Sequence, residues 1–304
     1  MAFDPRSEIG LAYLSYVENR ARVWAEKYLD GREPDYRGDA VLARYHFCNV
    51  WRELDRYSRW EIAQIRGRPL QEQLDIIVIG RMTMVPATIA RLLAGDTRSE
   101  MKTFVRARQA AGLPWYNGAL QMSVSCPGRG FMDEFVDHRD SYFRRRRDVL
   151  EAARAASDAQ AFARALPPLL RRVGPFRAYE AATSLTYSEH VSFDEDQLSI
   201  IGPGAVDGYN LLTGARLEGC TGLSDDARPA LVAMRDSVRA ALEERGAMRW
   251  IPPGRQGSPR TRRHHKFTVR TLEDSLCEFR KYWSITSGRT RARRTHRDMG
   301  CVDA

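Results

Sequence analysis

The sequence predicts a mainly α-helical protein, and three observations carry that expectation. Apolar residues recur at three- and four-residue spacing in segment after segment. Gly and Pro punctuate the chain at helix-length intervals. Alternation of apolar and polar positions, the mark of a half-buried strand, is confined to short pieces such as VSF at 191–193 and FTV at 267–269. No internal repeat is evident.

Taken in order, residues 7–29 read as an amphipathic helix with Ile9, Tyr13, Tyr16, Val17 and Val23 at helical spacing. After the turn-rich GREPDYRGD comes a second helix, about 40–66, stopped by Gly67 and Pro69. Further helices are expected at 70–79, 83–94 (entered at Pro86), 98–111, 129–150, 158–172, 175–187, 204–213 and 225–245. The last begins near Thr271, where Thr271 and Asp274 have capping-box spacing with Asp in place of the usual Glu or Gln. The expected organisation is one helical domain over 1–304, divisible into lobes at about 1–175 and 176–285, with a basic tail at 286–304.

At 304 residues, 43% hydrophobic and 29% charged, the chain can bury a substantial core and has ordinary globular composition. Its 48 Lys plus Arg against 39 Asp plus Glu leave a net charge of +9. Arg greatly outnumbers Lys, and its planar fork suits phosphate oxygens, so a polyanionic partner is favoured. Two stretches concentrate the charge in loop-like sequence: IPPGRQGSPRTRRHHK at 251–266 and GRTRARRTHRD from Gly288. Arg262, Arg263, Lys266, Arg289, Arg291, Arg293 and Arg294 are the expected phosphate contacts there. The run Arg144–Arg147 spreads around a helix and reads as a solvated face. No apolar run approaches the roughly 20 residues of a membrane helix, and no signal peptide is apparent. The five scattered cysteines form no CxxC pair and suggest neither disulfides nor a metal site, so a cytoplasmic protein with reduced thiols is expected.

Three blocks concentrate polar residues. In HFCNVWRELDRYSRW (46–60), helical spacing would align Asn49, Arg52, Asp55 or Arg56, and Arg59, beside an apolar stripe of Phe47, Val50, Leu54 and Tyr57. That row is either a set of surface ion pairs or a polar face in a cleft. In SLTYSEHVSFDEDQLSIIGPGAVDGYNLL (184–212), an apolar pair leads into GPGA and a helix, resembling the helix–hairpin–helix turn through which DNA-repair glycosylases hold a backbone phosphate; Gly202 and Gly204 are the candidates. In RTLEDSLCEFRKYWSI (270–285), Glu278 lies one turn before Lys281 and Tyr282, with Leu272, Leu276 and Phe279 as a buried stripe. Glu278 and Lys281 form either a simple i,i+3 ion pair or a unit that handles an amine proton. Cys277 reads as a buried apolar cysteine. P-loop, GxSxG, HExxH, zinc-deaminase and GxGxxG signatures are all missing from the sequence.

Together FCNVWRELDR, SLTYSEH with IIGPGAVDGYNLL, and LEDSLCEFRKY with its basic GRTRARR tail resemble a phage-associated family. It is the alpha-glutamyl/putrescinyl thymine pyrophosphorylase-like group, which includes amino acid:DNA transferases and is related to the helical domain of hydroxymethyluracil DNA kinases. The blocks keep their order over residues 46–294. The resemblance implies a helical, helix–hairpin–helix DNA-glycosylase-like fold in a phage-infected host. It implies a transferase that displaces the phosphate or pyrophosphate of phosphorylated 5-hydroxymethyluracil in DNA with an amine, glycine first among them or a polyamine, after an upstream DNA kinase. No cofactor is implied. On the matching positions, Arg52, Asp55, Glu278 and Lys281 would be catalytic, with Arg52, Arg56 and Lys281 suited to the phosphate and Asp55, Glu53 or Glu278 to the amine proton. Asn49 and Tyr187 would read or stack on an extruded base, with Tyr282 beside them, and Gly202 and Gly204 would hold the DNA backbone. The last block departs from the family in having Arg280 where an acidic residue precedes the Lys. A glycosylase acting on a modified pyrimidine and a non-catalytic DNA-binding partner of a kinase are the competing expectations.

Overall fold

The computed structural model describes residues 2–117, 131–171, 173–217, 226–247 and 267–289, and their regular elements are helices, with no strand among the described residues. In chain order these are α1 (Glu8–Tyr28), α2 (Ala40–Arg44), α3 (Arg56–Ile65), α4 (Leu70–Thr83), α5 (Pro86–Leu93) and α6 (Arg98–Ala110). There follow α7 (Phe131–Arg144), α8 (Arg146–Ala155), α9 (Ala159–Leu169), α10 (Pro175–Leu185), α11 (Pro203–Thr213), α12 (Arg228–Glu244) and α13 (Val269–Thr286). The chain divides into two compact units, one from residues 2–55 and 195–289 and the other from 56–194. This differs from lobes split near residue 175: the first 55 residues belong to one unit with the chain that returns after residue 195.

In the discontinuous unit α13 is the central helix, packed by α11, α12, α1 and α2. Its apolar stripe Leu272, Leu276 and Phe279 is fully buried, and Phe279 meets Tyr13 and Tyr16 of α1 with ring centroids 5.2 and 5.8 Å apart. The cap of α13 is Thr268, whose hydroxyl accepts from Thr271 N at 3.1 Å, so the helix starts before the Thr271 expected from spacing. Helix α1 is capped by Ser7 and buries Tyr13, Tyr16 and Val17 as its periodicity requires.

Two glycines of α11 set its distance from α13. A Cβ on Gly208 would lie 2.3 Å from the Leu276 backbone oxygen, and one on Gly204 would lie 2.7 Å from Cys277 Sγ. A backbone atom in a packed helix cannot yield, whereas a side-chain sulfur can rotate. Gly208→Ala is therefore expected to destabilise the protein by about 3 kcal/mol through overpacking. Gly204→Ala should stay within about 1 kcal/mol, since Ala's better helix propensity offsets part of the clash. Urea denaturation midpoints of the two variants check this, and Cys277→Ala should relieve the second but not the first.

The expected continuous helix over 40–66 is not present. Helix α2 stops at Arg44, residues 45–51 are non-helical, Arg52–Leu54 form a 3-10 turn, and α3 starts at Arg56. Other elements supply the hydrogen bonds that a helix would have made internally. Arg20 donates to Phe47 O through Nε and Nη2 (3.2 and 2.9 Å). Cys48 N donates to Glu278 Oε2 (3.1 Å), Asn49 N to Asp55 Oδ1 (2.9 Å), and Trp24 Nε1 to Leu54 O (3.2 Å).

The second unit is organised around α4, which packs against α3, α5, α7, α8 and α10. Leu74, Ile77 and Ile79 of α4 are buried to within 1%. The same helix carries Arg81 into the interior, where it donates to Glu61 Oε2 (2.8 Å), Glu180 Oε2 (3.1 Å) and Ser184 Oγ (2.6 Å). The single helix expected over 129–150 is two, interrupted at Arg145. The interruption coincides with a divided basic run: Arg144, Arg145 and Arg147 remain exposed as expected, while Arg146 pairs with Asp75 of α4.

His138 of α7 is buried with Nδ1 and Nε2 each 3.2 Å from a backbone carbonyl, of Arg171 and Val78. Burial outweighs these two acceptors and pushes the imidazole pKa down to about 4. Between that value and the unfolded pKa of about 6.5, only the unfolded chain takes up the proton. Stability should thus fall as pH drops through this window, by about 3 kcal/mol in all. Unfolding free energies measured from pH 7 to pH 4 should lose that part of their slope in His138→Gln.

Candidate active site

The non-helical segment 45–55 and the first three turns of α13 build a polar cluster inside the discontinuous unit. Asp55 is its hub on one side, accepting at Oδ1 from Asn49 N and Asn49 Nδ2 (2.9 and 2.8 Å) and at Oδ2 from Arg52 Nη1 (2.8 Å). Asp274 is the hub on the other, with Arg52 Nε at 3.7 Å and Arg270 Nη2 at 3.3 Å. Arg270 also donates to Glu273 Oε2 at 2.7 Å, and Glu195 Oε2 accepts from the Thr268 hydroxyl at 2.9 Å. Asn49, Arg52, Glu53, Asp274 and Glu278 each keep 7–9% exposure, whereas Arg270 and Glu195 are 1% exposed. The arrangement is layered: one set of polar groups just reaches solvent, and a second supports it from beneath.

Burial, then the charge of Glu195, raises the Glu53 carboxyl pKa well above the usual carboxylate range and so favours its protonated form. Lys281 is the opposite case. Burial disfavours its charge, but Glu278 and the thiols of Cys277 and Cys48 outweigh that and raise its pKa, so it stays an ammonium. Lys281 is ion-paired to Glu278 and half-exposed. Burial pushes the Cys277 thiol up to about 12, and Cys48 higher still, which leaves neither a thiolate nucleophile at neutral pH. Tyr282 donates to Asp39 Oδ2 (2.9 Å) and lies 4.9 Å from the Tyr16 ring centre, in an aromatic wall with Phe47 and Phe279. No group of three or more His, Cys, Asp or Glu residues among those described is placed to hold a metal ion.

The fold thus brings together Asn49, Arg52, Glu53 and Asp55, and it places Glu278, Lys281 and Tyr282 on the helix that packs against their segment. Arg56 and Tyr187 fall in the other unit, where Arg56 is exposed and Tyr187 is buried. The expected backbone-phosphate role of Gly202 meets a direct obstacle: its buried N–H donates to Glu273 Oε1 at 3.1 Å. An internal carboxylate therefore holds the amide offered to DNA, and Gly204 faces Cys277. Arg280, the departure from the family pattern, pairs with Asp207 of α11 at 3.3 Å. Arg289 is exposed just after α13. Arg262, Arg263, Lys266, Arg291, Arg293 and Arg294 lie outside the described residues.

Sequence spacing missed Arg270, Glu195 and Thr268. The available signal was Arg270 followed at i+3 and i+4 by Glu273 and Asp274, which reads equally well as a solvated helix face. What that reading lacks is the burial of every residue from 267 to 276.

The model of one protein family, described as "5-hmdU DNA kinase, helical domain", matches residues 7–291. The chain belongs to that family. Neither the curated proteins nor the solved structures contain a match. The family match spans both units and all three motif blocks, including the segment 45–55 and helix α13 that form the cluster.

Proposed function

We propose that this protein is an amino acid:DNA transferase that replaces the phosphate or pyrophosphate on phosphorylated 5-hydroxymethyluracil in DNA with an amine, glycine being the first candidate. The observation that carries this reading is Arg52. Its guanidinium is held between Asp55 and Asp274 at the solvent-reaching edge of a buried cluster, beside Glu53 whose carboxyl pKa burial raises, in a chain of the 5-hmdU DNA kinase helical-domain family. The amine lone pair forms a C–N bond to the C5 methylene carbon, and the C–O bond breaks with its electrons leaving on the phosphate oxygen. The N–H proton passes to a carboxylate, Asp55 or Glu278. Arg52 and the ammonium of Lys281 suit the charge that grows on the leaving group, and the raised pKa of Glu53 suits it to protonate that group. Tyr282 remains a substrate contact in this reading, and the basic segments around Arg262 and Arg291 track the DNA backbone.

The fold is taken as helix–hairpin–helix and glycosylase-like on the strength of the Ile200–Ile201 pair entering GPGA at the start of α11. A second reading has its own support: the family is named for one domain of a kinase, and this sequence has no GxxxxGK[ST] motif. Under it the protein would be the DNA-binding partner of a separate P-loop enzyme.

The deciding experiment treats DNA containing hydroxymethyluracil with a DNA kinase and ATP, then with this protein and either amino acids or a polyamine. Mass spectrometry of the digested nucleosides is expected to show an amine-substituted thymidine. Unchanged nucleosides, with faster phosphorylation when this protein is present, would support the partner reading instead, and abasic sites would mean a glycosylase.

A further inference from the structure

Asn49 is 93% buried by its 7% exposure, and its side chain is oriented by a single neighbour. Asp55 can only accept hydrogen bonds when ionised, and one of its oxygens takes both the Asn49 backbone N–H and Nδ2. Arg52 occupies the other oxygen and holds the carboxyl group in place. Turning the amide over would set its oxygen against that carboxylate, so the Asn49 orientation is determined. The result is an amide oxygen, Oδ1, that is buried and has no hydrogen-bond donor among the described residues. Leaving such a buried acceptor unmet is unfavourable. Three hydrogen bonds to Asp55 preserve this arrangement, and its neighbours Arg52 and Glu53 still reach solvent.

We propose that Asn49 Oδ1 is the acceptor for the ring N3–H of an extruded 5-substituted uracil, which makes Asn49 the residue that selects a pyrimidine-2,4-dione and Asp55 the residue that positions it. This rests on the reading that hydroxymethyluracil in DNA is the substrate. The Watson–Crick edge of a uracil runs acceptor, donor, acceptor, and its N3–H is the one donor along it. Cytosine places a lone pair at N3, which would face the amide oxygen and be repelled. The amine co-substrate is a weaker candidate for this position, because an ammonium is drawn to the carboxylates of Glu278 and Asp55 rather than to a neutral amide. The base enters as an alternative partner for an oxygen that already has none, so no protein hydrogen bond must break.

The test is the affinity of the full protein for fluorescent single-stranded DNA by anisotropy. Otherwise identical strands carry phosphorylated 5-hydroxymethyluracil, its N3-methyl derivative, phosphorylated 5-hydroxymethylcytosine, or adenine at one position. The wild-type protein is expected to bind the hydroxymethyluracil strand about tenfold more tightly than the N3-methyl and cytosine strands. In Asn49→Leu these ratios should collapse to near one, with affinity for the adenine strand unchanged as evidence of folding. Asn49→Ala takes its place if the leucine variant does not fold. Equal wild-type affinity for the hydroxymethyluracil and N3-methyl strands, with both preferred over adenine, overturns the Asn49 assignment alone. So does a preference that survives in the variants. No preference for hydroxymethyluracil over adenine overturns the substrate reading and this inference with it.

Discussion

Arg52→Ala is expected to lower the rate of amine incorporation by about 10²–10³-fold, the loss typical of removing one preorganised electrostatic stabiliser. The guanidinium pairs with both Asp55 and Asp274, so the variant also brings two carboxylates to face each other without this cation between them. Arg52→Lys should not restore activity. A lysine ammonium is a point charge and cannot meet Asp55 through one nitrogen while presenting another to Asp274. The measurement is single-turnover incorporation followed by mass spectrometry on DNA phosphorylated beforehand, with DNA affinity recorded for each variant. A rate within a few-fold of wild type in Arg52→Ala would remove Arg52 from the chemistry. If DNA binding is lost in parallel, the residue acts in binding.

The second large effect is on stability, in the other unit. Arg81→Met should cost about 3–5 kcal/mol, because it leaves Glu61 and Glu180 buried without their shared cation. Glu61 also accepts from the Tyr57 hydroxyl (2.9 Å) and from Ser184 Oγ (2.7 Å), and these neutral donors cannot balance its charge. Replacing all three charged residues with apolar ones of similar volume should recover most of the loss, since what costs is the uncompensated charge and not the absence of an ion pair. Chemical denaturation of the single and triple variants checks both statements. A triple variant as unstable as Arg81→Met would show that the network is needed for shape and not only for charge balance.

How far the sequence can be read depends on where each hydrogen bond closes. The helices at α1, α5, α6 and α11 were legible because their caps and apolar stripes are local: Ser7 caps α1, Pro86 enters α5, and Thr97 with Glu100 forms a capping box on α6. The segment 45–55 was misread as helix because its apolar and polar residues do fall at helical spacing. Its backbone is instead satisfied by Arg20, Trp24 and Glu278, and the last of these is 230 residues away from Cys48. The glycines of GPGAVDG carried a genuine signal for close backbone approach, but the approaching group is α13 rather than a phosphate. Local pattern identified the requirement without identifying the partner.

By itself the sequence determined that the protein is helical, that it is strongly basic, and that Asn49, Arg52, Glu53, Asp55, Glu278 and Lys281 belong to its concentrated polar blocks. Each of these follows from residue type or from spacing within a few turns of chain. Only the tertiary structure decided that Asp274 and Arg270 complete the cluster, that burial raises the Glu53 pKa, and that Glu273 claims the Gly202 amide. It likewise decided that one compact unit joins the first 55 residues to the chain beyond 195. Burial and the charge of distant residues set those properties, and neither is encoded at any one position of the chain.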